Sequence, residues 1–166
     1  APFNVGCKGM LPNNVGGYYN WGDASGKNID GEANPYDLPI QMKSIAGSSL
    51  DIAAMNWGRG WRMPTSEEFQ ELIDKCSWKM VNKRGEVPGY RVTGPSGKSI
   101  FLPFAGYRRG PAFFKQGVVG CYWSASPYTE ARQSAAYFLE TDGDVVSVSR
   151  GDFASTGYSV RPVLDK

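Results

Sequence analysis

The chain has 166 residues, 41% of them hydrophobic and 13% aromatic, which suits one compact domain with a real core. Charged residues are only 20% and the formal net charge is +2, which gives no basic stripe of the kind that holds nucleic acid. Histidine is absent, and with it the commonest general base, the commonest metal ligand and every Ser-His or Cys-His nucleophile pair.

Cys7, Cys76 and Cys121 are far apart and form no CxxC pair, so neither a zinc ribbon nor a thioredoxin-type site is available, and Cys76 and Cys121 read as core thiols. No apolar run approaches membrane-spanning length. The opening Ala1-Pro2-Phe3-Asn4 suits a processed secreted chain and a trimmed one equally.

Residues 1–48 are rich in Gly, Asn and Pro, and Gly16-Gly17-Tyr18-Tyr19-Asn20-Trp21-Gly22-Asp23 places three aromatics between glycines. An irregular segment anchored to the core by Tyr and Trp is expected there. Ser49 is positioned to cap a short helix, Leu50 to Asn56, which Trp57-Gly58-Arg59-Gly60-Trp61 ends. Thr65-Ser66-Glu67-Glu68 is a capping box, and Phe69, Leu72, Ile73 and Cys76 follow as one apolar stripe. Glu67, Glu68, Glu71 and Asp74 read as the solvated face of that helix. From Gly89 onward the pattern changes to strands. Tyr90 to Thr93 and Ser99 to Leu102 flank a Gly-Pro-Ser-Gly-Lys turn, and further strands are expected at Tyr122 to Ser126, Ala135 to Thr141, Val145 to Ser149 and Tyr158 to Val163. Helices followed by a run of short strands indicate an α+β fold, and with no linker or repeat the expected organisation is a single domain over 1–166.

Three short motifs have structural explanations. Gly94-Pro95-Ser96-Gly97-Lys98-Ser99 lacks the first glycine of a phosphate-binding loop, because Val92 stands there, and it leads into a strand instead of a helix. Asp142-Gly143-Asp144 offers too few oxygens for calcium alone and reads as a turn between strands; Glu140 and backbone carbonyls would have to complete a site. Arg150-Gly151-Asp152 is an RGD tripeptide expected on a loop, a match short enough to arise by chance. No metal site and no cofactor is assigned, and no constellation of nucleophile, base and oxyanion donors is found.

Several stretches together resemble one family: Tyr18-Tyr19-Asn20-Trp21-Gly22, the block from Asn56 to Thr65 with its Trp61-Arg62-Met63-Pro64-Thr65 core, Gly89 to Pro95, Ile100 to Pro103 with Ala105 to Arg108, Tyr122 to Ser126, and Gly157-Tyr158-Ser159-Val160-Arg161-Pro162-Val163. In this order they are similar to the Fibrobacter succinogenes major paralogous domain, abundant in surface proteins and lipoproteins of gut Bacteroidetes. The resemblance implies a C-type-lectin-like fold, with two helices packed on short antiparallel strands and long irregular loops. It also implies an exported protein, extracellular or at the cell surface, lipid-anchored before trimming or carried on a phage particle. Domains of this kind serve as variable proteins of diversity-generating retroelements, in which the C-terminal part is mutated at adenines and binds diverse partners. The calcium-dependent sugar motifs are absent, since Glu32-Ala33-Asn34-Pro35 is not one of them, and the close cysteine pair of the related formylglycine-generating enzymes is absent too.

An Asn codon of the form AAY, mutated at its adenines, cannot yield Lys, Glu, Gln, Met or Trp. Those types make up 30 of the 166 residues, and Thr141 to Val160 contains none. Composition alone would place about three or four in a stretch that long. The function expected is therefore a non-catalytic, adhesin-like or receptor-binding surface domain taking a protein or glycan ligand, with no nucleic acid. The alternatives are a calcium-dependent lectin and a structural envelope or pilus component. Strand alternation leaves Tyr128, Glu130, Arg132, Phe138, Glu140, Asp142, Asp144, Ser147, Ser149, Arg150, Asp152, Phe153, Ser155 and Thr156 as ligand-binding candidates, with Tyr137 and Leu139 facing the core. Arg108, Arg109, Phe113 and Phe114 form a second exposed candidate beside them.

Overall fold

The computed structural model describes residues 1–9, 14–27, 42–58, 60–131 and 134–165. In chain order its elements are α1 (Ile52–Trp57), β1 (Trp61–Arg62), α2 (Ser66–Lys75), β2 (Ser77–Val81), β3 (Gly89–Thr93), β4 (Ser99–Pro103), β5 (Tyr107–Arg109), β6 (Ala112–Phe114), β7 (Gly120–Pro127), β8 (Ala135–Thr141), β9 (Val146–Phe153) and β10 (Val163–Leu164). This is a mixed α+β fold. The described strands form four small antiparallel sheets, β7-β8-β9, β2-β3-β4, β5-β6 and β1-β10. No helix among the described residues is long and apolar enough to cross a membrane.

Strand β7 is the centre of the packing, because Gly120 through Ser126 are all buried. Cys121, Trp123 and Ala125 face one apolar cluster, with Trp21, Ile45, Ile52, Phe138, Tyr158 and Val160. Tyr122 faces the other, with Phe69 of α2, Tyr90, Leu102, Phe104 and Leu139. Burying both faces removes the polar alternation of a half-exposed strand.

The irregular first quarter is tied to β7 as its aromatics predict. Trp21 Nε1 donates to the Ser124 carbonyl at 2.7 Å, and Trp123 Nε1 donates to the Tyr19 carbonyl at 2.8 Å. The backbone of Tyr19 pairs with that of Tyr158, and the Tyr18 hydroxyl donates to the Ala105 carbonyl. These bonds satisfy polar groups that a loop lacks the ladder to satisfy.

Helix α1 begins two residues later than expected. Its cap is Asp51, not Ser49, because a carboxylate here accepts from the amides of Ala53 (2.8 Å) and Ala54 (3.2 Å) and also from those of Gly47 and Met63 (2.8 Å each). Asp51 is fully buried, so one side chain holds the helix start, the loop before it and the entry to β1. Helix α2 matches expectation, with both arms of the Thr65–Glu68 capping box formed and Phe69, Leu72, Ile73 and Cys76 turned to the core. Its acidic face is not uniformly solvated. Glu68 takes a bidentate pair from Arg62 at 2.7 and 2.8 Å, which holds its carboxyl below the usual range.

The β3–β4 hairpin and strand β8 occupy the expected residues. The expected strand at Tyr158 to Val163 is instead a set of single bridges, Tyr158 to Tyr19 and Ser159 to Tyr122, before β10. Strands β1, β2, β5 and β6 are additional to the expected set.

Replacing Asp51 with Ala would leave four backbone donors without their acceptor, two of them, the amides of Ala53 and Met63, inside the core. A loss of at least about 3 kcal/mol in unfolding free energy is expected by urea denaturation, and a change below about 1 kcal/mol would refute the organising role of this carboxylate. The Arg62–Glu68 pair gives a pH-dependent counterpart. Because the folded-state pKa of Glu68 is depressed, its contribution is present at neutral pH and lost as pH falls through that value. The stability difference between the native protein and Glu68→Gln should therefore shrink between neutral pH and about pH 3.

Candidate functional site

The described C-terminal candidates lie on β8 and β9, in the β7–β8 connection, in the β8–β9 turn and just after β9. Among large apolar side chains, Phe153 is 53% exposed and Val145 51%, and on the neighbouring β5–β6 hairpin Phe113 is 53% and Phe114 41% exposed. The two areas meet. The Arg109 guanidinium lies 3.5 Å from the Asp152 carboxylate, and Arg108 pairs through its backbone with Gly157. Phe114 stacks on Tyr107 at 5.4 Å, Arg109 sits 5.3 Å from the centre of the same ring, and Phe113 meets Tyr18 edge-on. Stacking and cation–π contact hold this aromatic group in place while leaving both phenylalanines open to solvent.

Strand β9 is irregular where it carries the candidates. Its pairing with β8 shifts between Ala136 and Phe138, and Gly151 has φ +50°. The Tyr128 ring lies over Gly151, so close that a Cβ there would stand 2.3 Å from Tyr128 Cδ1. Tyr128 also meets Tyr137 edge-on at 5.4 Å and donates to Glu130 at 3.1 Å, a bond that raises the pKa of its hydroxyl. A bulge with a glycine re-aims the side chains on either side of it, which puts Arg150 and Phe153 into solvent.

Arg150-Gly151-Asp152 therefore lies within a strand and not on a free loop. The Asp152 carboxylate is occupied, accepting from the Tyr158 hydroxyl at 2.5 Å and from the Phe153 amide at 2.8 Å beside its contact with Arg109. Burial, with the nearby Cys121 and Asp152, raises the pKa of Tyr158 far above the ordinary phenol value. Asp142 closes the β8–β9 turn by accepting from the amides of Asp144 and Val145, which lowers its carboxyl pKa. Tyr90 braces that turn from behind by donating to the carbonyls of Asp142 and Gly143. Among the described residues no three His, Cys, Asp or Glu side chains converge to hold a metal ion. The Cys121 thiol is buried against the core and its pKa is pushed up to about 12 by that burial, which leaves it a packing group.

The outward positions need three corrections. Phe138, expected outside, is 7% exposed and packs against Trp123 and Tyr158, whereas Tyr137, expected inside, is half-buried under Tyr128. The cause is the covering of both faces of β8, Phe138 by one cluster and Leu139 by the other, so alternation cannot identify an open side. Thr156 is 3% exposed, so its side chain is enclosed instead of displayed. In the second set, Arg108 is buried and donates to the Gly110 carbonyl and Asn20 Oδ1, so only Arg109, Phe113 and Phe114 remain at the surface. Glu140, Ser147, Ser149 and Ser155 are half-buried; Ser149 donates to Glu140 at 2.9 Å. Asp144 and Glu130 are exposed. Arg132 lies outside the described residues, as do Arg59 and Glu32-Ala33-Asn34-Pro35.

Tyr107, the ring that orders the hairpin, was not among the expected residues. The Gly110-Pro111 pair between two aromatic runs was the available signal for a hairpin, and Gly110 turns with φ +53°. Comparisons of the chain with family models, with curated proteins and with solved structures find no match.

The corrected burial separates two phenylalanines. Phe138→Ala should cost about 3–5 kcal/mol, and Phe153→Ala less than about 0.5 kcal/mol. Thermal or urea unfolding of both variants measures this, and equal losses would contradict the assignment of Phe153 to the open surface.

Proposed function

We propose that the chain is a non-catalytic ligand-binding domain of C-type-lectin-like architecture, displayed outside the cell, whose binding face is built from β9, Tyr128 and the β5–β6 hairpin. One observation carries the reading: Phe153 and Arg150 of β9 and Phe113, Phe114 and Arg109 of the hairpin all stand exposed, and the contact of Arg109 with Asp152 joins the two elements. Exposed aromatics set beside arginine and short polar groups are the composition of a paratope, where rigid rings supply contact area at low entropic cost and Ser and Asp supply adaptable hydrogen bonds. The resemblance to the Fibrobacter succinogenes major paralogous domain supports the architecture and an extracytoplasmic location. The composition of Thr141 to Val160 supports diversification of this face by a retroelement.

A protein or glycan ligand is expected, and arrays of both identify it. The double variant Arg150→Ala/Phe153→Ala should then lose at least about tenfold in affinity while keeping its unfolding midpoint. Unchanged affinity would place the binding site elsewhere. Binding should survive a chelator, and its loss on chelation would favour the calcium-dependent lectin instead. The gene supplies an independent check: codons for the exposed β9 positions should end in C or T beside a near-identical template repeat and a reverse transcriptase.

A further inference from the structure

The sheet β2-β3-β4 has a second face. Tyr90, Val92 and Leu102 turn toward α2 and the core, so the alternate residues Arg91 and Phe101, which are cross-strand partners, turn the other way. On that side the segment Pro2 to Asn4 lies over the sheet and leaves a cavity of about 350 Å³. Among the described residues three cations line it, Lys83, Arg91 and Arg161, against one carboxylate, Glu86, which approaches Lys83 only to 4.0 Å. None of these residues belongs to the C-terminal surface described above.

Arg161 is the unusual member. It is 5% exposed, yet every hydrogen-bond partner it has among the described residues is neutral. Nε donates to Asn4 Oδ1 at 2.7 Å, Nη1 to the carbonyls of Ala1 and Pro2 at 3.3 and 3.4 Å, and Nη2 to the carbonyl of Phe101 at 2.8 Å. Four of the five N–H groups are thereby satisfied, and one on Nη2 has no partner among the described residues. The ion pairs among the described residues do not include Arg161. Carbonyls answer the geometry of a guanidinium but not its charge, and a buried cation without a counter-charge is costly. Burial accordingly holds its pKa below the ordinary arginine value.

We propose that this cavity binds a small organic anion, its carboxylate or phosphate group set against Arg161 and Arg91 and its apolar body against Phe101 and Phe3. Lys83 and Arg91, exposed at the rim, draw the anion in, and Arg161 supplies the desolvated charge at the base. The proposal is independent of the C-terminal binding face.

The test is a titration of the isotope-labelled full chain with benzoate and with phenyl phosphate at constant ionic strength, with benzyl alcohol as the uncharged control. Amide signals of Val81, Arg91 and Phe101 and the Arg161 Nε–H are followed by NMR. Saturable shifts with a dissociation constant on the order of millimolar are expected for at least one anion, and the comparison of the two says which acidic group is preferred. Benzyl alcohol should give none, and the variant Lys83→Ala/Arg91→Ala, in which two exposed side chains are trimmed, should bind at least about tenfold more weakly. No saturable shift with either anion, an equal response to benzyl alcohol, or undiminished binding by the double variant would each overturn the site and leave Arg161 as a structural clamp alone.

Discussion

The fold depends on the burial of β7 from both sides. A strand with no open face must be covered by two separate layers. Here they are α2 with the β2-β3-β4 sheet on the Tyr122 side, and the irregular segments before β1 with α1 and the C-terminal Tyr158 and Val160 on the Trp123 side. The small residues at Ser124, Ala125 and Ser126 let backbone from elsewhere come close. The Ala125 amide donates to the Pro64 carbonyl at 2.7 Å, and its carbonyl accepts from the Ile45 amide at 3.0 Å. The strand is thus partnered by β8 on one side and by loops and single bridges on the other.

Loops used as a core layer bring unpaired backbone groups with them, and this chain answers them with buried charged and aromatic side chains. Asp51 collects four amides from three segments, and Arg161 collects carbonyls from the first residues and from β4. Trp21 and Trp123 exchange hydrogen bonds with each other's segments. Apart from the bond of Arg161 to the Asn4 side chain, each of these groups is matched to backbone and, among the described residues, not to an opposite charge, so its geometry is specified tightly. The difference between the two charges is instructive: amides at a helix start favour a carboxylate electrostatically, whereas the carbonyls around Arg161 are dipoles without a full negative charge.

Local signals were legible in the sequence where they were self-contained. The Thr65–Glu68 capping box and the stripe from Phe69 to Cys76 need nothing beyond their own turn and face, and α2 follows them. The turn Gly94 to Lys98 likewise fixes the β3–β4 hairpin. Signals that depend on tertiary cover were not legible. Nothing local distinguishes Phe138 from Tyr137 as the buried ring, because the decision is made by Trp123, Tyr158 and Tyr128 from other elements. Ser49 and Asp51 are both acceptable caps, and the choice falls to Asp51 because the amides of Gly47 and Met63 arrive from outside the helix. Of the candidate surface, Arg150 and Phe153 were readable as exposed, whereas the adjoining hairpin became part of the same face only through Arg109 and Asp152.

Burial also changes what the composition of Thr141 to Val160 can mean. Seven of its twenty positions, Thr141, Ala154 and Thr156 through Val160, are buried, and long polar side chains are unwelcome there whatever the codons. Gly151, with its positive φ and the Tyr128 ring over it, admits no side chain either, which leaves twelve positions, and composition would place about two of Lys, Glu, Gln, Met or Trp among them. A gap of two is a weaker signal than a gap of three or four. The structure supplies a stricter one in exchange, because it names the positions that matter. If adenine mutagenesis shaped this face, its trace belongs at Val145 and Arg150, which are exposed and whose codons can end in any base, and not at Thr156 or Val160, which the core holds fixed; the codons of Asp144, Phe153 and Tyr158 end in a pyrimidine in any case. A uniform codon pattern across buried and exposed positions alike would point to ordinary codon usage, and only a pattern that follows exposure would point to selection for binding.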